Sequence, residues 1–333
     1  MRIFSIFSLV LLLLYSNCFA QREKTDFVQS PQSDSLKFLS SIMYGGKTDM
    51  ERYEANNRFL EMLKNDLIDE NTINFKYDSV KTLSVLLSVN KKFKLFTWGL
   101  PIADNKYDIF GIILFYSEKS GKYKYLELQD VSKILEYPEK EVLKKGMWFG
   151  AIYYQMIEHK VSNNKIYTLI GWNAGNGLWQ QKVIDILFFD SRGEPVFGKL
   201  MFRGRGYTSN KRIVINYANN VFLKMLYENV TYSTVFVKEK HRYNKKINTN
   251  NNVALKAPKK KKIVKTTTTP MIVFDNVKPK YPSLEGQYQY YYPASDKSHG
   301  FYFKDGKWMY KSLDVPVDTL PMKKIKNGLL PPE

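Results

Sequence analysis

Near Val80 the hydrophobic period of the chain changes, and this change limits the possible folds more than any other feature of the sequence. Upstream, Met50, Tyr53, Leu60, Leu63 and Leu67 recur at a spacing closer to 3.6 than to 2, after Leu36, Phe38, Leu39, Ile42 and a Gly45-Gly46 break. That spacing predicts amphipathic helices, the second capped by Thr48 or Asp49 with Glu51 in its first turn. Downstream come short runs dense in β-branched and aromatic residues: Leu83–Leu87, Phe93–Trp98, Ile109–Tyr116, Ala151–Glu158, Ile166–Trp172 and Val183–Phe189. Arg212–Tyr217, Val221–Tyr227, Met271–Phe274, Gln287–Tyr292 and Phe301–Met309 continue the series. Such runs read as strands, and turns this short require antiparallel pairing because parallel pairs need long crossovers. Asp305-Gly306 suits the tight turn of a hairpin. A helix broken by Pro138 is expected over Val131–Lys145. The predicted class is α+β: N-terminal helices, then a large, mostly antiparallel meander forming an open sheet, a sandwich or a barrel.

At the N-terminus, Arg2 precedes an apolar run from Ile3 to Tyr15, followed by Cys18 and Ala20 at the spacing of a signal-peptidase site. The run is too short to span a bilayer, which takes about 20 residues. Residues 1–20 are therefore expected to be a cleaved signal peptide and Gln21 the mature N-terminus, which makes the protein exported: periplasmic, outer-membrane-associated or secreted. The single cysteine, Cys18, would leave with that segment. Disulfides, thiol nucleophiles and thiolate metal sites would leave with it. No second apolar run follows, so no transmembrane segment is expected in the mature chain. The remaining organisation reads as a polar leader and helical region (21–79), a β-rich region (80–237), a basic insertion (238–270), the last strands of the same β domain (271–315) and a tail (316–333).

Net charge is +19, and it is unevenly placed. Lys238–Lys265 holds eleven basic residues and one acid, Glu239, so 11 − 1 = +10 falls in this stretch. Lys259, Lys260, Lys261, Lys262 and Lys265 would pass as a nuclear or nucleic-acid-binding tract, but export removes the nuclear reading. Tyr243 is the only aromatic residue interleaved with these lysines, so base stacking is not expected. Two readings remain: a flexible, solvated insertion between strands, or an electrostatic contact with lipid headgroups, anionic glycans or other polyanions.

"WFGAIYYQMIEHKVSNNKIYTLIGWN", "VIDILFFDSRGEPVFG" and "MIVFDNVKPKYPSLEGQYQYYYP" resemble segments of a family of exported proteins from Bacteroidetes-type bacteria with no known activity. The resemblance spans about Val80 to Asp314. It implies export and one continuous domain, and it supplies no ligand, cofactor or catalytic residue.

Chemistry is sparse. His159, His241 and His299 lack metal-ligand spacing and read as solvated. Glu158 and His159 would point to opposite faces of a strand. There is no G-x-S-x-G elbow, and Gly204-Arg205-Gly206 lacks the rest of a dinucleotide or phosphate loop. No catalytic residue, metal site or cofactor is expected. Asp185 interrupts an apolar strand: it is a structural ion pair with Arg, Lys or Tyr, a solvated acid, or a functional carboxylate. Trp172, Asn173, Asn176 and Trp179 bracket or form a Gly/Asn-rich turn, where tryptophan faces and short amides suit a small polar ligand or simply staple a wide hairpin. Alternation over Gly286–Pro293 would put Tyr288, Tyr290 and Tyr292 on one face. Three functions stay open: a non-enzymatic envelope-associated binding or scaffold protein whose partner is an envelope protein or glycan, a glycan hydrolase using paired carboxylates, and attachment to an anionic surface through the basic insertion.

Overall fold

The computed structural model describes residues 27–69, 71–240 and 259–313. The expected signal segment, His241 and the tail at 316–333 lie outside them. β1 (Val28–Gln29) pairs in parallel with β2 (Phe75–Lys76) and brackets α1 (Ser33–Gly45) and α2 (Asp49–Leu67). Thr48 caps α2: its backbone is extended and its hydroxyl accepts the Glu51 N–H at 3.2 Å. The Glu51 carboxylate reaches back to the Lys47 N–H at 2.9 Å, a capping box displaced by one residue.

Three open sheets follow. The first runs in spatial order β3 (Ser84–Leu87), β4 (Phe93–Ile102), β5 (Lys106–Ser117), β6 (Lys122–Asp130), β7 (Met147–Trp148). The second places β8 (Ile152–Val161), β9 (Asn164–Asn173), β10 (Trp179–Phe189) and β11 (Pro195–Phe197) side by side. β12 (Phe202–Arg203) then leaves for the third sheet, and β13 (Ile213–Ala218) returns to pair with β10. The third sheet is completed by β14 (Met225–Lys240), β15 (Lys259–Pro279), β16 (Tyr291–Lys304) and β17 (Lys307–Leu313), in the order β12-β17-β16-β15-β14.

Side-chain alternation stacks these elements into four layers. On β4, Phe96, Trp98 and Leu100 pack against Phe59, Leu63 and Leu67 of α2. Phe93 and Leu95 face the other way, onto Tyr167, Leu169, Val183 and Leu187 of the second sheet. The opposite face of that sheet gives Ile170, Ile184 and Ile186 to a core shared with Ile272, Phe274, Phe301 and Trp308 of the third. A sheet covered on both sides needs apolar residues at both parities, which is why β9 and β10 read as near-continuous apolar runs.

Where the sequence expectation and the structure differ, local backbone bonding explains the difference. Val131–Lys145 forms no α-helix; it contains a 3-10 turn at Pro138–Lys140. The segment is held by Leu143 bridging Phe197 and by the Glu139 carbonyl accepting the Lys211 N–H at 2.7 Å. Tyr288–Tyr290 is also a 3-10 turn, so the expected stripe of Tyr288, Tyr290 and Tyr292 does not form. The Asp305-Gly306 hairpin is present: Lys304 pairs with Lys307, and φ is +49° and +72° at the two turn residues.

Candidate functional site

The Trp172–Trp179 turn uses its amides on itself. The Asn173 side-chain oxygen accepts the Gly175 N–H at 2.7 Å, and its amide nitrogen donates to the Gly150 carbonyl. The Asn176 oxygen accepts from the N–H groups of Leu178 (3.1 Å) and Trp179 (3.3 Å). Gly175 and Gly177 sit at φ +63° and +90°. A Cβ on Gly175 would lie 2.0 Å from the Trp179 carbonyl oxygen, so this turn requires glycine there. The tryptophans diverge. Trp172 is in register with Lys182, whereas Trp179 lies three residues away from Lys182 and so on the opposite face of the sheet. Trp172 Nε1 donates to Gln180 Oε1 at 2.5 Å and its ring meets Tyr107 edge-on. The four residues therefore staple a hairpin and do not converge on a ligand.

Trp179 instead meets a residue from the tyrosine-rich segment. Its ring packs edge-on against Tyr288 at 5.7 Å, and Tyr288 in turn packs on Tyr291 at 5.3 Å. Nearby, Gln180 Nε2 donates to the carbonyls of Asn219 (3.1 Å) and Val221 (3.3 Å), fixing the loop that presents Phe222, which is 66% exposed. The Lys182 ammonium lies 4.8 Å above the Tyr154 ring and 5.8 Å from that of Phe222. Burial pushes it down to about 8. Sequence reading missed Lys182, Phe222 and Gln180 because strand pairing and a distant loop bring them together. The aromatic density of "GQYQYYYP" was the one visible signal.

Asp185 is a buried ion pair, and the solvated reading is corrected: it and Arg212 are both 0% exposed. Arg212 Nε donates to Asp185 Oδ2 at 2.7 Å, the Tyr153 hydroxyl donates to the same oxygen at 3.1 Å, and the Ile186 N–H donates to Oδ1 at 2.8 Å. Arg212 also donates from Nη1 to the Pro138 carbonyl at 2.7 Å. Burial, then the Asp185 charge, holds the Tyr153 hydroxyl well above the usual tyrosine range. A carboxylate enclosed on all sides offers nothing to a substrate.

Two histidines are not the solvated residues expected, and His299 is not in a loop. His299 lies on β16 and is 4% exposed; its ring bonds the Tyr310 hydroxyl at 2.7 Å and accepts from Arg205 Nη1 at 2.9 Å. His159 stacks on Phe303 with centroids 3.7 Å apart, its Nε2 buried without a hydrogen-bond partner. Burial lowers its pKa. Glu158, on the opposite face, pairs with Lys165. Among the described residues no group of three His, Cys, Asp or Glu could hold a metal ion.

The basic stretch departs furthest from expectation. Of the flexible insertion expected over 238–270, positions 241–258 lie outside the described residues, while 238–240 and 259–270 are strand: β14 and β15 pair in unbroken antiparallel register from Met225–Phe274 to Lys240–Lys259. β16 pairs with β15 only from Met271 onward, so among the described residues positions 259–270 pair with β14 alone and form a two-stranded ribbon about 40 Å long. Its polarity misled the sequence reading: Thr231 and Thr268 bond across the strands at 2.8 Å, so threonine ladders and β-branched residues hold a ribbon without burying a core. The register sets Lys238 opposite Lys261 and Lys240 opposite Lys259, with Lys265 opposite Thr234 and exposed. Elsewhere, a shallow groove of about 330 Å³ crosses the helical layer, lined by Asp34, Phe38, Arg58 and Met62. Among the described residues no helix is long and apolar enough to cross a membrane. Comparison with family models, curated proteins and solved structures gives no match for this chain.

Proposed function

We propose that this is a non-enzymatic, exported protein of the bacterial envelope that binds or scaffolds through its surface, using the basic ribbon to attach to a polyanionic surface. The carrying observation is the register of the ribbon, which sets Lys238 opposite Lys261 and Lys240 opposite Lys259 with one acid between them, Glu239 opposite Lys260; like charges in register destabilise a sheet. Side chains suited to chemistry are occupied elsewhere, Asp185 by Arg212 and the turn amides by their own backbone. The export part rests on the Arg2–Ala20 pattern and on the resemblance to exported proteins.

Two measurements test the reading. Expression with the full N-terminus should yield an exported product beginning at Gln21; a product retaining Met1 in the cytoplasm would sink the export part. Replacing Lys259, Lys260, Lys261, Lys262 and Lys265 together by threonine should abolish low-salt binding to anionic vesicles and to heparin. Undiminished binding to both would reject the ribbon as the attachment element.

A further inference from the structure

Burial pushes Lys94 and Lys182 down to a similar value, about 8, yet their surroundings differ. Lys94 is 1% exposed and donates to the carbonyls of Phe75 at 2.7 Å and Thr72 at 3.1 Å. Lys182 is half-buried, and among the described residues no oxygen accepts a hydrogen bond from it and no carboxylate pairs with it. Two ring faces lie beside its ammonium instead, Tyr154 at 4.8 Å and Phe222 at 5.8 Å. One amine is closed and satisfied; the other is open and unsatisfied.

Three elements create this setting. β8 carries a bulge at Tyr154: Tyr153 pairs with Gly171 and Gln155 with Ile170, which leaves Tyr154 as the extra residue. A bulge re-aims the side chain it carries, and the Tyr154 hydroxyl, donating to the Met225 carbonyl at 2.8 Å, fixes the ring beside Lys182. On β10, Lys182 stands in register between Trp172 of β9 and Ile215 of β13, neither of which brings a side-chain oxygen. The third element is the loop after β13. Gln180 accepts the Trp172 indole N–H and donates to the carbonyls of Asn219 and Val221, which presents Phe222, 66% exposed, next to the amine. No anion is there to hold the proton: Tyr154 and the nearby Tyr217 are both kept protonated by burial. A polar group set among aromatic rings, one of them open to solvent, is the composition of a small-ligand site.

A desolvated lysine without a counter-ion is partly unprotonated near neutral pH, and the neutral amine is the form that condenses with carbonyl compounds. We propose that Lys182 is a reversible covalent capture site for an aldehyde or ketone carrying a flat aromatic body. The Nζ lone pair attacks the carbonyl carbon. The C–N bond forms, the C–O bond breaks, and the oxygen leaves as water with both amine hydrogens. Nothing is oxidised or reduced, and hydrolysis reverses the step. The ligand's ring packs on Phe222, the neighbouring ring that faces solvent. The site needs no part of the ribbon and stands apart from the attachment reading.

The test treats the whole folded protein near neutral pH with limiting benzaldehyde and cyanoborohydride, which reduces the imine to a stable secondary amine, and maps the label by mass spectrometry. At about pH 7 an amine titrating near 8 is neutral in roughly one molecule in ten, against roughly one in 2,500 for an ordinary lysine. Lys182 should therefore be labelled at least about tenfold faster than the median lysine, its lower basicity giving back part of the difference. Lys94, closed to the reagent, should stay unlabelled. Acetaldehyde has no ring to pack. With the exposed α-amino group as reference, the preference for Lys182 should be roughly two- to tenfold greater with benzaldehyde than with acetaldehyde, the worth of one aromatic contact. Phe222→Ala, a change at an exposed position, should erase that margin and leave acetaldehyde labelling as it was. Labelling of Lys182 no faster than the median lysine would overturn the capture site. An equal preference for the two aldehydes, or a margin that survives Phe222→Ala, would overturn the aromatic ligand.

Discussion

At the centre of the second sheet, Asp185 and Arg212 are both closed to solvent and held 2.7 Å apart, with Tyr153 and the Pro138 carbonyl adding hydrogen bonds and Arg212 Nη2 left without one. At the end of the ribbon, Lys238 and Lys240 stand opposite Lys261 and Lys259, with Glu239 as the one acid among strand positions 238–240 and 259–265. The first arrangement balances charge where water cannot. The second sets like charges in register, with a single acid among them. Charge that the fold compensates serves the fold, and charge that it leaves uncompensated is available to a partner.

The sharpest way to break this contrast is to remove one member of the buried pair. Asp185→Leu or Arg212→Met alone should cost about 3–5 kcal/mol in urea unfolding, because the remaining ion is buried without a partner. The double variant should recover most of that loss, since apolar replacement of a whole buried pair is often neutral or stabilising. A single variant costing under about 1 kcal/mol would mean that the pair is not the compensated unit described above.

Much of this fold could be read directly. The helices, their Thr48 cap, the antiparallel pairing and the Asp305-Gly306 hairpin follow from periodicity and local turn chemistry. Asp185 also announced itself as an acid among Val183, Leu187 and Phe189, and an Arg, Lys or Tyr partner was the expectation if that face were buried. That the partner would be Arg212 could not be read, because it depends on β13 returning to β10. The ribbon was misread for a different reason: polarity was taken as solvation, although strands in a ribbon need cross-strand pairs and not a core. His299 was misplaced because Gly300 suggested a loop, whereas a Cβ at Gly300 would approach the Met271 methyl at 2.8 Å. The glycine marks close packing between strands.

Buried cations without carboxylate partners give the next effect, seen in alkaline titration. Lys94 is 1% exposed and donates to the carbonyls of Phe75 (2.7 Å) and Thr72 (3.1 Å), and burial lowers its pKa to about 8. Lys182 is lowered to a similar value. Between that value and the unfolded value of about 10.4, the unfolded chain binds more protons than the native one, so stability should rise with pH across this window. Lys94→Met with Lys182→Met should flatten the rise. A slope unchanged in that variant would assign it to the general repulsion of surface lysines.

A smaller dependence is expected on the acid side, from His159. Its pKa is lowered by burial, so the native state favours the neutral ring stacked on Phe303. Stability should be fully present above the unfolded histidine value of about 6.5 and should fall as pH drops through and below it. His159→Phe should keep the stack and remove this part of the acid loss. If the fluorescence melting curves of the two proteins stay parallel from neutral to mildly acidic pH, His159 is not the group responsible.

The smallest effect on stability belongs to the ribbon, and it bears most directly on function. Replacing Lys259–Lys262 by threonine removes two like-charge cross-strand pairs, with Lys240 and Lys238, and one opposite-charge pair, Lys260 with Glu239, and introduces strong β-formers in their place. Cross-strand charge pairs are worth roughly 0.2–1 kcal/mol each, so the variant should be as stable as the natural chain or slightly more so at low salt. Raising the salt should close the gap from the natural chain's side, because screening relieves its repulsion while the variant has little left to relieve. The Asp185 and Arg212 variants should show no such salt response, their ions being closed to solvent. If the threonine variant instead lost several kcal/mol, the lysines would be structural, and the distinction between charge that builds this fold and charge that reaches beyond it would fail.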